Sequence, residues 1–330
     1  MMRRVLIMLL LSILAGCIRP GGGIETYRFI VANDQLFAIS GGSSYGTEVN
    51  LLTTNDGGKT WQDYPAPEKT FALCGDGTKL YALTSNAEVW LKTSDNAPWK
   101  QIWSSSFERW TYDIDLAPNG DLYLTSNDKV IVLSSEGKLL REIPSNEDGM
   151  FVSSFFADDR YLVIEGNPYK AAVIDTETNE LISWNEGFAA RPDDGLRGPC
   201  RIRRHGERFL ASRADGIYIS EGVLEPWKML TSEIRHQGFN PEFCRDLISF
   251  NAAEDQWLIA TGSGIHLMHG AEKRETVFKD VDDAHNLILE ITEFDSDLFV
   301  SFARLKDCMG IRLEKDLKQW QTLSQNTKKQ

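Results

Sequence analysis

The chain repeats one short arrangement of polar and apolar positions. A polar turn rich in Asn, Asp or Gly is followed each time by an apolar, often aromatic run. The first three are Asn33-Asp34-Gln35-Leu36-Phe37-Ala38-Ile39, Gly77-Thr78-Lys79-Leu80-Tyr81-Ala82-Leu83 and Asn119-Gly120-Asp121-Leu122-Tyr123-Leu124. Four more follow, anchored on Tyr161, Phe209, Trp257 and Leu298. Counted from Leu36 through Leu80 and Leu122 to Leu298, the spacings are 44, 42, 39, 48, 48 and 41 residues. Around each anchor the pattern predicts a preceding strand (27–31, 111–116, 151–156 and 288–293 among them), a following strand (130–133, 171–175, 216–219, 264–268, 310–313) and a fourth that often carries a tryptophan: Trp61, Trp99, Trp184, Trp227 and Trp320. Short apolar runs bounded by turn residues read as strands, and no long amphipathic helical pattern interrupts them. Four short strands repeated at this period make the blades of a propeller, which closes with four to eight of them. The expected fold is therefore all-β: one propeller over 24–323 with seven four-stranded blades, and six or eight as alternatives if a terminal unit is misread.

One turn has a chemistry of its own. Thr54-Asn55-Asp56-Gly57-Gly58-Lys59-Thr60-Trp61 places Thr54, Asp56, Gly58, Thr60 and Trp61 in the pattern S/T-x-D-x-G-x-T-W. A carboxylate there can accept N–H bonds across the turn, and glycine can take positive φ. The stretch resembles the Asp box of BNR-type propellers, in which the turn is a folding device. Thr93-Ser94-Asp95-Asn96-Ala97-Pro98-Trp99 resembles a degraded second box, one residue shorter and without its glycine. Residues 116–140 resemble the NHL propeller repeat, and Ala260-Thr261-Gly262-Ser263-Gly264-Ile265-His266 resembles a strand pair of Asp-box proteins, photosystem II assembly factors included. The resemblance is to a superfamily of propellers and implies the fold.

The amino-terminal pattern differs from everything after it. Met1-Met2-Arg3-Arg4 is basic, 5–13 is apolar but for Ser12, and Leu14-Ala15-Gly16-Cys17 follows. The apolar run is too short to span a bilayer and reads as a secretory signal over 1–16. The small residues before Cys17 resemble a bacterial lipobox, which implies cleavage there, a lipid on Cys17 and a membrane anchor. Ile18 stands where an Asp would signal inner-membrane retention, so the resemblance favours the outer membrane of a bacterial envelope. Residues 17–23 read as the lipidated Cys and a flexible linker, and 324–330 as a disordered tail.

The whole chain has 35 basic and 48 acidic residues; without Arg3 and Arg4 the count is 33 against 48, or −15. An acidic surface argues against nucleic acid and against an anionic lipid face as partners. Of the remaining cysteines, Cys200 and Cys244 occupy matched positions in neighbouring units and form the candidate disulfide, unless their strands stand too far apart to bridge. Cys74 and Cys308 read as buried or free. No Cys/His spacing suits a metal, the acidic stretch 280–285 completes no calcium loop, and no phosphate loop or serine elbow is present, so no cofactor is expected.

Sialidases also use Asp-box propellers, and that resemblance implies an arginine triad for a substrate carboxylate. Arg28 on the predicted inner strand of the first unit, and Arg201 and Arg245 at matched places opening those of units five and six, form a tentative anion-binding set, although Arg28 lacks the Ile-Pro that follows it in the sialidase motif and no Tyr/Glu nucleophile pair is identifiable. The competing reading pairs these arginines with the abundant acids. The sequence thus predicts a non-enzymatic scaffold that binds an envelope protein, through the long connections 185–199 and 231–242 first. The alternative is an anionic-glycan binder or sialidase-like hydrolase.

Overall fold

The computed structural model describes residues 27–40, 50–105, 111–126, 128–145, 150–167, 170–188, 201–213, 215–231, 246–261, 264–271, 273–279, 288–302, 310–314, 316–318 and 320–323. These form a seven-bladed β-propeller, each blade a four-stranded antiparallel sheet of consecutive strands. The innermost strands are β1 (Tyr27–Ala32), β5 (Thr70–Gly75), β9 (Thr111–Leu116), β13 (Met150–Phe156), β17 (Arg201–His205), β21 (Asp246–Asn251) and β25 (Ile288–Phe294). Such strands approach their counterparts in neighbouring blades, and β25 returns to β1 to close the ring.

The seven apolar runs that set the sequence period all lie in second strands: β2 (Gln35–Ser40), β6 (Leu80–Thr84), β10 (Leu122–Ser126), β14 (Tyr161–Asn167), β18 (Arg208–Arg213), β22 (Gln256–Thr261) and β26 (Asp297–Phe302). Their continuous apolar character has a direct cause. A second strand is covered on both faces by neighbouring blades, so Leu80–Thr84 and Leu122–Ser126 are buried at every position. Fourth strands lie at the rim and are half-exposed, as in Lys100–Ser104 (β8) and Glu180–Ser183 (β16). The tryptophans expected inside fourth strands mostly flank them: Trp61 and Trp99 precede β4 (Gln62–Asp63) and β8, and Trp184 follows β16. An indole at the strand end reaches between blades, where there is more apolar surface to cover than along the rim.

The core is seven clusters of buried residues, one at each blade–blade interface. Each buried Leu, Ile or Phe there contributes about 1.5–3 kcal/mol relative to exposure. Among the described residues every sheet is made of consecutive strands, so none of these strands is shared across the closure between blades seven and one. Side chains hold that seam instead. Phe29 meets Phe299 at 5.7 Å and Trp61 at 5.8 Å between ring centroids, and the Thr292 hydroxyl donates to the Phe29 carbonyl at 3.0 Å.

Candidate functional site: a charged hub on the inner strands

On β17, Arg201 and Arg203 are two residues apart and share a face of the strand, while Ile202 between them points into the core between blades four and five. Both arginines reach Glu165 on β14, a carboxylate left 1% exposed that interrupts the apolar run Leu162-Val163-Ile164. Glu165 accepts Arg201 Nη1 at 2.9 Å, Arg203 Nη1 at 2.7 Å and the Ile202 N–H at 2.7 Å, and also the Ser153 hydroxyl. Arg203 turns its other nitrogen, Nη2, to Asp246 on β21 at 2.9 Å. Asp246 is buried and also accepts the Leu247 and Ile291 N–H groups, each at 2.9 Å. A continuous chain of charge and hydrogen bonds thus runs through blades four, five, six and seven.

The same device recurs beside it. Asp113 on β9 accepts the Ser154 N–H of the next blade at 3.4 Å, and Asp115 accepts the Ser154 hydroxyl. Inner strands of different blades belong to different sheets, so these carboxylates take up main-chain N–H groups that would otherwise lack partners. Between blades five and six, buried His205 contacts Ser249 Oγ through Nδ1 at 2.9 Å and Asp255 Oδ1 through Nε2 at 3.2 Å. Arg208 Nη2 also donates to Asp255, at 2.5 Å.

These environments set the protonation states. Burial pushes the Glu165 carboxyl up, but the Arg203 and Arg201 guanidiniums, the Ser153 hydroxyl and the Ile202 N–H outweigh it and hold the pKa below its usual value. Glu165 is therefore ionised near neutrality and unsuited to donate a proton. Burial lowers the His205 pKa, and the neutral ring donates from Nε2 to the Asp255 carboxylate while accepting at Nδ1 from Ser249. Burial, followed by the charges of Asp115 and Asp113, pushes the Cys74 thiol well above its ordinary value, so it is not a thiolate nucleophile. Among the described residues no group of three or more His, Cys, Asp or Glu side chains is placed to hold a metal ion.

The Thr54–Trp61 turn joins β3 (Asn50–Thr54) to β4. Asp56 Oδ1 accepts the Thr60 N–H at 2.9 Å and the Thr54 hydroxyl at 2.8 Å, and Oδ2 accepts the Thr60 hydroxyl at 2.6 Å. The Thr54 hydroxyl also accepts the Gly58 N–H at 2.9 Å, and the Trp61 indole N–H returns to the Gly58 carbonyl at 3.1 Å. Hydrogen bonds from Thr60, side chain first and main chain second, lower the Asp56 pKa to about 2. Gly57 and Gly58 take φ of 66° and 82°.

Of the residues singled out from the sequence, Arg201 lies in the hub, with its Nη1 on Glu165 and Ser153. Arg28 is on β1, paired with Ile39, and its side chain lies outside the described residues. Arg245, Cys17, Cys200, Cys244, Cys308, the stretch 280–285, the leader, the linker and the tail also lie outside them. Of the first long connection the structure describes only 185–188, where Phe188 is half-buried: it stacks on Trp227 at 5.0 Å with the Arg213 guanidinium 4.6 Å from its ring. Sequence reasoning missed Glu165, Arg203 and Asp246. The available signal was Glu165 itself, an acid inside a run that the fold buries, together with the Arg201-Ile202-Arg203 alternation.

No family model matches the sequence, and no curated relative matches it. Solved structures do. Virginiamycin B lyase from Staphylococcus aureus superposes with a TM-score of 0.64 at 14% identity, over 87% of this chain and 97% of that one. YCF48 bound to D1 peptide gives 0.63 at 14% identity, over 87% and 93%. The Pan2 WD40 domain of Neurospora crassa gives 0.57 at 8% identity, over 87% and 92%. The likeness fixes the propeller fold and nothing finer.

Proposed function

We propose that this propeller is a non-enzymatic interaction scaffold of a bacterial envelope, held to the membrane by a lipid on Cys17 and binding a protein partner across one face. The observation that carries this reading is the inequality of the two faces. Connections from fourth strands to the next blade, and from second to third strands, leave from one face; they include 184–200 between β16 and β17 and 232–245 between β20 (Lys228–Thr231) and β21. Connections on the other face are short turns, such as Asn33–Asp34 between β1 and β2. Long connections on a rigid scaffold commonly carry recognition. The hub charges fit this reading, because Glu165, Arg201, Arg203 and Asp246 are engaged with one another and with the main chain. YCF48, a propeller of similar fold, is known bound to a peptide, so the architecture can hold one.

The test is crosslinking of the full-length, lipidated chain in its native envelope, read by mass spectrometry, beside a variant whose 232–245 connection is replaced by a short Gly-Ser link. The expected result is one near-stoichiometric partner that the variant loses. A partner retained by the variant, or recovery of abundant bystanders only, overturns the reading. The anchor is tested separately by Cys17→Ser, which should move the chain out of the membrane fraction. The glycan alternative through Arg28, Arg201 and Arg245 is less supported, because Arg201 Nη1 is already on a buried carboxylate.

A further inference from the structure

On the opposite face, a cavity of about 360 Å³ opens between blades one and two. Its walls are the first turn of blade one (Asn33, Gln35), Tyr64 just beyond β4, and the end of β7 (Glu88–Lys92) with the turn after it, including Thr93 and Asp95. The unusual group is Lys92. It is only 5% exposed, yet among the described residues its ammonium meets no carboxylate and makes no hydrogen bond. It lies 4.7 Å from the Tyr64 ring centroid and 5.9 Å from that of Trp99. Burying an ammonium is costly unless it is paired, and aromatic faces return only part of that cost. Among the described lysines and arginines only Arg213 is comparably buried, and its guanidinium lies 3.7 Å from Asp215.

Around that ammonium stand donors with no other assignment. Asn33 spends its Oδ1 on the Gly77 N–H at 2.8 Å, which leaves its amide N–H groups available, and Gln35 makes no side-chain hydrogen bond among the described residues. Asp95, also in the wall, makes none either. One cation and two amides around a single cavity suit a carboxylate. The nearby Asp95 opposes a second negative charge, so a monoanion fits better than a phosphate dianion.

We infer that this cavity is a carboxylate-binding site with Lys92 as its anion anchor. The carboxylate belongs either to a free organic acid or to the end of a peptide chain. The site lies away from the long connections and does not depend on the scaffold reading.

The test titrates the full chain by ligand-observed NMR with four probes: glucuronate, its neutral analogue glucose, the tripeptide Ala-Ala-Phe with a free carboxyl end, and the same tripeptide amidated. The expected result is binding of at least one acid at millimolar concentration or better, at least tenfold tighter than its neutral counterpart. Which acid binds tells a metabolite from a chain end. Lys92→Met should weaken that binding at least tenfold, and Asp95→Asn, in an exposed turn where folding is not at risk, should tighten it severalfold. No binding of either acid at 10-fold molar excess over millimolar protein, equal binding of acid and neutral analogue, or an affinity unmoved by Asp95→Asn and Lys92→Met overturns the proposal. Should Lys92→Met fail to fold, the acid-over-neutral ratio and the Asp95→Asn shift decide it alone.

Discussion

Blades one and two carry the same turn in two conditions. In blade one, Thr54–Trp61 closes on itself: the Asp56 carboxylate binds both ends, and the Trp61 indole N–H returns to the turn's own Gly58 carbonyl. In blade two, Thr93–Trp99 retains the threonine, the aspartate and the tryptophan but not the glycine pair, and only Ala97 N–H to Ser94 carbonyl, at 3.0 Å, closes the turn. Asp95 bonds to neither end, and Trp99 donates out of the turn to the Pro65 carbonyl of blade one at 2.6 Å. The difference begins with main-chain geometry. Gly57 and Gly58 take φ values that a side chain resists, and this brings the Thr60 N–H over the carboxylate. Without them the aspartate cannot reach its turn and faces the cavity beside Lys92. The closed turn clasps the ring seam, and the open one walls a pocket.

The largest test of this contrast is at the tryptophans. Trp61 is buried against Phe29 at the seam, so Trp61→Ala should cost about 3–5 kcal/mol. Trp99 is half-buried and holds one hydrogen bond, and Trp99→Ala should cost about 1–2 kcal/mol. Urea denaturation of both variants measures the gap, and equal losses would show that the seam is no more dependent on its turn than any other interface. The next effect is at Gly58. A Cβ added there would stand 2.6 Å from Phe299 Cε1, on a backbone already at φ 82°. Gly58→Ala should therefore cost about 2–4 kcal/mol through strain and overpacking. Ala97→Gly in the open turn should cost less than about 1 kcal/mol, which the same denaturation series checks.

The contrast also marks what could be read without coordinates. The period from Leu36 to Leu298 reported the blade count because every second strand is buried on both faces, which forces an apolar run at each repeat. The Thr54–Trp61 bonds were legible because they are local, between residues two to four apart. The hub was not. Glu165 lies 36 residues from Arg201 and 38 from Arg203, and Asp246 lies 45 from Ile291, so only ring packing brings them together. Lys92 was hidden for a related reason: an ammonium at a strand end reads as solvated until the neighbouring blade's Tyr64 is seen to cover it. Local chemistry is written in spacing, while chemistry between blades is written only in which side chain breaks an apolar run.

The smallest effect is the sharpest discriminator, because it depends on charge and not on packing. Hydrogen bonds from Thr60 lower the Asp56 pKa from 3.8 to about 2. The unfolded chain therefore takes up the proton more readily than the folded one, and the ionised carboxylate's contribution is whole above pH 4 and lost as pH falls toward 2. Asp56→Asn should cost about 1 kcal/mol at neutral pH, at the low end for a charged hydrogen bond because the turn is open to solvent. Other carboxylates with lowered pKa, Glu165 among them, also destabilise the fold in acid, so the quantity to follow is the difference between wild type and variant. That difference should close between pH 4 and pH 2. Asp95→Asn should shift stability by less than about 0.5 kcal/mol, since Asp95 makes no hydrogen bond within its turn. A difference for Asp56→Asn that stays constant into acid would mean that the loss lies in hydrogen-bond geometry that the amide does not reproduce, and not in the carboxylate's charge.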